Sequence, residues 1–145
     1  MASETIAIAC DHAGFDLKET LKNELSDRGY DVLDLGTNGL ESVDYPDFGI
    51  AMGEAIASGK AKRGVLVCGS GIGISIAANR NPAVRAALCT DSLMAKLSRQ
   101  HNDANVLSLG ARLIGIETAL DCLNAFLNTD FEGGRHQRRV DKMGA

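Results

Sequence analysis

The sequence predicts an α/β protein, built as a three-layer α/β/α sandwich around a five-stranded parallel sheet. Five short apolar runs alternate along the chain with stretches whose apolar residues recur at helical spacing. The runs are nearly continuously apolar rather than apolar at alternate positions, which is typical of strands covered by helices on both faces of a parallel sheet. The length of 145 residues suits one domain, so residues 1–145 are expected to fold as a unit.

The five runs are interpreted as strands because each is too short for an ordinary helix and is flanked by Gly, Asn or Asp. In chain order they are Thr5–Cys10, Asp31–Leu35, Gly64–Cys68, Val84–Cys89 and Val106–Leu109. Parallel sheets of this kind bind ligands beyond the carboxyl ends of their strands. The segments that follow the strands are therefore the first place to look for a functional site.

Helices are predicted between and after the strands. The first carries Leu17, Leu21 and Leu25 on one face, and Gly29 follows as a natural end. A short helix is expected after the third strand, cut off by Asn81-Pro82. The remaining apolar stripes are Phe48, Met52, Ala55 and Ile56 after Pro46 and Asp47; Leu93, Met94 and Leu97 after an N-cap at Thr90 or Asp91; and Ile116, Leu120, Leu123 and Leu127. A short basic tail completes the chain.

Composition and charge narrow the classes of function. The chain has 15 basic and 19 acidic residues, a net charge of −4, and no Trp. Such a chain does not suit nucleic acid or an anionic membrane as a partner. No apolar run approaches the roughly 18 residues of a membrane span, and the N-terminus lacks the basic start of a secretory signal. We expect a cytoplasmic protein with four reduced cysteines.

The segment Cys68-Gly69-Ser70-Gly71-Ile72-Gly73 is the strongest candidate for a site. Its glycines let the backbone approach a ligand and turn into a helix whose first N–H groups point at an anion. The same N–H groups stabilise a thiolate at Cys68, which predicts a base or nucleophile, and with Ser70 they suit an oxyanion. The simpler interpretation, an inert buried thiol, stays open. A dinucleotide fingerprint is disfavoured because Ile74 stands where Gly or Ala is required.

Titratable residues elsewhere are expected to join this segment near one edge of the sheet. His12 follows the first strand directly, and His101 lies in Arg99-Gln100-His101-Asn102-Asp103. Histidine suits proton transfer near neutral pH. The basic tail offers arginines for a phosphate, although a solvated helix end is the plainer interpretation. The spacings of Cys and His give little support to a zinc site, so no metal is predicted.

Five motifs occur together in order: Cys10-Asp11-His12-Ala13-Gly14, Asp44-Tyr45-Pro46, Cys68-Gly69-Ser70-Gly71-Ile72-Gly73-Ile74-Ser75, Ser98-Arg99-Gln100-His101-Asn102-Asp103 and Glu132-Gly133-Gly134-Arg135-His136. Together they resemble the type B ribose-5-phosphate isomerases, in the sugar-phosphate isomerase family that also holds galactose-6-phosphate isomerase. The resemblance covers nearly the whole chain. It implies a Rossmann-like fold, no metal or organic cofactor, and active sites between the subunits of a homodimer or tetramer.

The resemblance also implies a role for each matching residue. Cys68 would move a proton between C2 and C1 of the sugar through an enediolate, Ser70 and the loop amides would hold the enediolate oxygen, and His101 would open the sugar ring. Many members have Thr in place of Ser70, which keeps the hydroxyl; some use a later Glu as base, where this chain has Ile74-Ser75. Substrate-binding roles are implied for Asp11, His12, Tyr45, Gly69, Gly71, Gly73, Asn102, Arg112, Arg135, His136 and Arg139.

The expected activity is the interconversion of D-ribose 5-phosphate and D-ribulose 5-phosphate. A hexose-6-phosphate isomerase, acting on galactose or allose 6-phosphate, is the alternative with the same chemistry. A sugar-phosphate sensor without catalysis is the alternative of another class, and it is disfavoured because every expected catalytic group is present in the chain.

Overall fold

A single sheet of five parallel strands forms the middle layer of the computed structural model, which describes residues 3–144. The strands are β1 (Thr5–Cys10), β2 (Asp31–Asp34), β3 (Arg63–Cys68), β4 (Ala86–Leu88) and β5 (Val106–Gly110). Their order across the sheet is β2-β1-β3-β5-β4, and every neighbouring pair is parallel. The predicted fold class is confirmed.

Six helices accompany the sheet within the described residues. They are α1 (Phe15–Asp27), α2 (Tyr45–Ala57), α3 (Ile72–Asn79), α4 (Ser92–Asn102), α5 (Ile116–Asn128) and α6 (Arg135–Met143). The first five agree with the predicted positions. The segment interpreted as a basic tail forms α6, a helix of its own that buries only His136 and Val140. Within residues 3–144, none of the helices has the length and apolar character needed to cross a bilayer.

Two apolar cores lie on the two faces of the sheet. One packs α1, α4 and α5 against the strands and contains the fully buried Leu21, Leu107 and Phe126. The other lies under α2 and α3 and contains Met52 and Ile74. Strands covered on both sides explain why the sequence runs are nearly continuously apolar.

Residues from the different sequence motifs lie at opposite edges of the sheet. Cys68 ends β3 and pairs with Gly110 at the carboxyl end of β5. Helix α4 runs back across the sheet, and Asn105, just after it, donates its N–H to the carbonyl of Arg85 at the start of β4. His101, in the last turn of α4, therefore lies at the amino edge. The five residues of β5 put about 16 Å between the two edges.

A buried ion pair fixes the turn that follows β2. The Lys18 side chain on α1 is fully buried, and its Nζ lies 2.9 and 3.0 Å from the carboxylate oxygens of Asp34 and 2.7 Å from the Thr37 carbonyl. Asp34 also accepts hydrogen bonds from Lys22 and from the N–H of Gly36. Burial alone would raise the pKa of Asp34, but these hydrogen bonds outweigh it and hold that pKa below its usual value.

Candidate active site

A cavity of about 570 Å³ opens at the carboxyl edge of the sheet. Its wall combines the glycine-rich segment after β3 with residues from three neighbouring loops and helices. The lining residues are Asp11, Tyr45, Cys68, Gly69, Ser70, Ile72, Gly73, Ile76, Arg112 and Leu113. Seven of these ten are residues that the sequence singled out. The cavity thus lies where ligands of a parallel sheet are expected to bind.

The backbone of the glycine-rich segment holds the Cys68 thiol at the start of α3. Gly71 has a φ of +77°, a conformation that favours glycine, and its N–H donates a hydrogen bond of 3.1 Å to Sγ of Cys68. Ser108, fully buried in β5, fixes the same turn by donating its hydroxyl to the Gly71 carbonyl at 2.7 Å. This hydrogen bond fixes the direction of the Sγ atom in the wall of the cavity.

The hydroxyl hydrogen of Ser70 is available for a hydrogen bond. Its Oγ accepts the N–H of Ile72 at 3.1 Å, so its own O–H is available to donate into the cavity. The first-turn N–H groups of α3, including that of Gly73, have no acceptor four residues earlier within the helix. This end of the cavity can therefore stabilise a developing oxyanion.

The other three cysteines are suited to a structural role. Cys10, Cys89 and Cys122 are almost or fully buried in the apolar core. Burial raises the pKa of Cys10 to about 11, of Cys89 to about 12 and of Cys122 to about 11. All four thiols are free, and Cys68 is the one that lines the cavity.

Two side chains form the rim of the cavity through contacts with glycines. Tyr45, at the start of α2, packs against Gly73 so closely that a Cβ at this position would overlap the ring. Arg112 donates its N–H to the Gly69 carbonyl at 2.9 Å, and its side chain passes beside Gly69. Gly73 is thus required for close approach and Gly71 supplies the unusual backbone angle, whereas a Cβ at Gly69 would make ordinary contact with the Arg112 side chain.

Asp11 and His12 follow β1 at the same edge. Asp11 is 6% exposed, and its Oδ1 accepts the N–H of Gly14 at 3.2 Å, which caps the 3₁₀ turn at His12–Gly14. Nδ1 of His12 accepts the N–H of Val43 at 3.1 Å. In the neutral ring the proton then resides on Nε2, so His12 presents a donor.

The remaining predicted site residues form a second group at the opposite edge. The rings of His101 and His136 are stacked, with centroids 4.5 Å apart and planes inclined by 16°. The exposed residues Asn102, Arg135 and Arg139 lie on the same two helices, α4 and α6. The expectation of several titratable groups near one edge is met by Asp11 and His12, but within a single chain it is wrong for His101 and the tail. A helix between two parallel strands must end at the amino edge, and His101 follows that rule.

The structure adds residues that the sequence analysis did not assign to the site. Ile72, Ile76 and Leu113 give the cavity an apolar wall, and they are 47%, 59% and 60% exposed. The spacing of Ile72 and Ile76, four residues apart on the face of α3 away from the buried Ile74, is the signal that marks them. Large exposed apolar side chains grouped around a cavity are typical of surfaces that bind a ligand or another protein.

A larger cavity of about 700 Å³ lies at the amino edge but is a weaker candidate. Its arginines are engaged in structural pairs: Arg63 with Glu4, and Arg85 and Arg99 with Asp103. Its wall contains neither His nor Cys among the described residues. The chemistry is therefore best placed at the smaller cavity beside Cys68.

Comparison with known proteins identifies the family of the chain. A family model described as Ribose/Galactose Isomerase matches residues 6–143. Ribose-5-phosphate isomerase B of Escherichia coli (strain K12) is 46% identical over 140 residues, which cover 97% of this chain and 94% of that protein.

Solved structures match over the same length. A ribose-5-phosphate isomerase B of Clostridium thermocellum has a TM-score of 0.95 at 54% identity, covering 97% of this chain and 95% of the other. The enzyme of Mycoplasma genitalium, solved with bound ribulose-5-phosphate, has a TM-score of 0.94 at 40% identity, covering 99% and 95%. The chain therefore belongs to the ribose/galactose isomerase family.

Proposed function

We propose that this chain interconverts D-ribose 5-phosphate and D-ribulose 5-phosphate through an enediolate, with Cys68 as the base. The family and the names of its near relatives support the reaction. The observation that carries the assignment of the base is the position of the Cys68 thiol, in the wall of the cavity and hydrogen-bonded by the Gly71 N–H. The free thiols also support a cytoplasmic location, because they suit a reducing compartment.

The proton transfer uses groups that the cavity already holds. The thiolate removes the hydrogen from C2, the electron pair of that bond forms the C1–C2 double bond, and the negative charge passes to O1. The hydroxyl of Ser70 and the first-turn N–H groups of α3 stabilise this charge. A proton passes from O2 to O1, and Cys68 returns its proton to C1 to give the ketose.

The remaining residues hold the sugar and its phosphate. We assign Asp11, Tyr45 and Asn102 to the sugar oxygens and His101 to the opening of the furanose ring. The phosphate is assigned to the cationic and histidine group, namely His12, Arg112, Arg135, His136 and Arg139. Binding energy from the distant phosphate positions the reacting carbons, and it can be used to lower the chemical barrier.

The separation of the two groups supports a homodimer with shared sites. Cys68 and His101 lie at opposite edges of one chain, too far apart to contact one pentose phosphate. In a two-fold dimer, the carboxyl edge of one subunit can face the amino edge of the other and complete two equivalent sites. The exposed apolar wall of Ile72, Ile76 and Leu113 would then be covered. A tetramer would be a pair of such dimers.

Deuterium exchange tests the base. The Cys68→Ala variant, incubated with ribose 5-phosphate in deuterated water, should incorporate no label into the sugar and form no ribulose 5-phosphate, while still binding the substrate. Cys122→Ala is the matched control, since it removes a thiol from the core, and it should retain turnover. Full turnover by Cys68→Ala would refute the assignment. Parallel assays with allose and galactose 6-phosphate should give lower kcat/KM than ribose 5-phosphate; the reverse order would favour the hexose-phosphate reaction.

Mixing two inactive variants tests the shared site. Cys68→Ala and His101→Ala proteins, unfolded together and refolded, should regain about a quarter of the wild-type activity, because half of the dimers are mixed and each carries one intact site. Each variant refolded alone is the control. No recovery, with mixed dimers confirmed by mass, would show that both residues act within one chain.

A further inference from the structure

We propose that His101, Glu132 and His136 form a binding site for a divalent ion of the Zn²⁺ type, and that the bound ion inhibits the isomerase. Each residue offers one ligand atom, and these atoms all lie within 4.8 Å of one another. The inhibition rests on the proposed roles of the two histidines, whereas the binding of the ion does not.

The chemistry of the three donors selects the ion. Two imidazole nitrogens and one carboxylate oxygen form a set that zinc sites use, with a water in the fourth position. Imidazole suits Zn²⁺, Cu²⁺ and Ni²⁺, whereas Mg²⁺ and Ca²⁺ prefer oxygen ligands alone. The site therefore discriminates against the two abundant hard cations.

The backbone brings the three side chains together from two elements. Glu132 is tied to α4, because its N–H donates to the carbonyl of Gln100 at 3.1 Å. His136 lies in the first turn of α6 and is 7% exposed, and its Nε2 is 3.4 Å from Oε1 of Glu132. His101 stacks on the His136 ring from α4. The ligand set thus bridges two helices.

Small side-chain rotations suffice to close the site. Ligand atoms around a tetrahedral zinc ion lie about 3.4 Å apart, given zinc–nitrogen bonds of about 2.0–2.1 Å. The stacked rings hold their lone pairs in nearly parallel planes, so one ring must turn for nitrogens of both rings to reach one ion. His101 is half-buried and Glu132 is exposed, which leaves these two side chains room to move toward the buried His136.

The bound ion would compete with the substrate. It takes the nitrogen lone pair that His101 needs for ring opening, and it turns His136 away from the phosphate. Any proton on those nitrogens is released to solvent as the ion binds. Inhibition should therefore raise the apparent KM for ribose 5-phosphate and weaken as the substrate concentration increases.

Direct titration with ZnCl2 tests the binding. Measured by competition with a chromophoric chelator, the Cys68→Ala protein should bind one Zn²⁺ per chain, which removes the cavity thiol as the ligand. Adding Glu132→Gln should weaken binding by about tenfold or more, since even outer partners of metal ligands contribute about that much. Adding Glu117→Gln, another exposed glutamate, should leave binding unchanged. Equal affinity in the Glu132 and Glu117 variants would overturn the site.

Inhibition is tested separately on proteins that keep Cys68, with each curve normalised to the uninhibited rate of the same variant. Zn²⁺ should inhibit the wild type and Glu117→Gln equally, Glu132→Gln should need about tenfold more Zn²⁺ or more, and Mg²⁺ should not inhibit. Zinc binding without inhibition would overturn the inhibitory role. If the chain lacked isomerase activity altogether, the titration would still decide the site, so the two proposals fail independently.

Discussion

Replacing Lys18 with Met should destabilise the protein by about 3 kcal/mol. Met keeps most of the side-chain volume but removes the three hydrogen bonds that Nζ makes to Asp34 and Thr37. Removing one partner of a buried ion pair costs about 3–5 kcal/mol. The lower end applies because the Asp34 side chain is 18% exposed and keeps its bonds to Lys22 and the Gly36 N–H.

Thermal and urea unfolding measure this loss. For a chain of this length, about 3 kcal/mol corresponds to a melting temperature lowered by roughly 6–12 °C. The double variant Lys18→Met/Asp34→Asn should lose less free energy of unfolding than the two single variants lose together, because it leaves no uncompensated charge buried. A loss below about 1 kcal/mol in Lys18→Met would refute the reasoning, because the pair would then behave as a surface ion pair.

Three further outcomes follow from the site and the core. Gly73→Ala should lower kcat/KM by about tenfold or more, because the added methyl displaces the Tyr45 ring from the rim of the cavity. Iodoacetamide at about pH 8 should label one cysteine per folded chain, Cys68, since burial raises the pKa of the other three thiols. The free energy of unfolding should fall as the pH drops below the ordinary aspartate pKa of about 4. Asp34 has a lowered pKa, so its contribution is present above the pKa of the unfolded chain and is lost as pH drops through the folded value.

Each of these outcomes has a matched control. Gly115→Ala places a methyl in open space and should leave kcat/KM unchanged. Cys68→Ala should take up no label, and a second labelled site in the wild type would contradict the burial argument. Asp34→Asn should show a shallower loss of stability in acid than the wild type, and identical pH profiles would rule out Asp34 as the source.

The sequence predicts the buried strands well and the edge strand less well. β1 is found at the predicted bounds, because continuous apolar runs with clear flanking residues leave little choice. β4 is three residues long, where six were expected. It pairs only with β5, and the N–H groups of Val84 and Arg85 are taken by the carbonyl of Asn81 and the side chain of Asn105. α6 was missed because two buried positions in nine residues leave no apolar stripe.

The sequence predicts which residues belong to the site but not at which edge of the sheet each of them lies. The segment after β3 was found because its glycines and Cys68 stand directly after an apolar strand. The placement of His101 and the tail at the other edge follows from the direction of α4, which motif spacing does not express. The role of Glu132 depends on a contact between α4 and the segment before α6, and no local pattern in the sequence indicates it.

The hydroxyl of Ser108 holds the turn at Cys68 in place from inside the sheet. It donates a hydrogen bond to the Gly71 carbonyl, and Ser108 itself is fully buried in β5. The turn cannot loosen by itself, because releasing it would leave a polar pair without partners in the apolar interior. On heating, catalytic activity and tertiary structure should therefore be lost in the same transition. There should be no temperature range in which a folded but inactive protein accumulates.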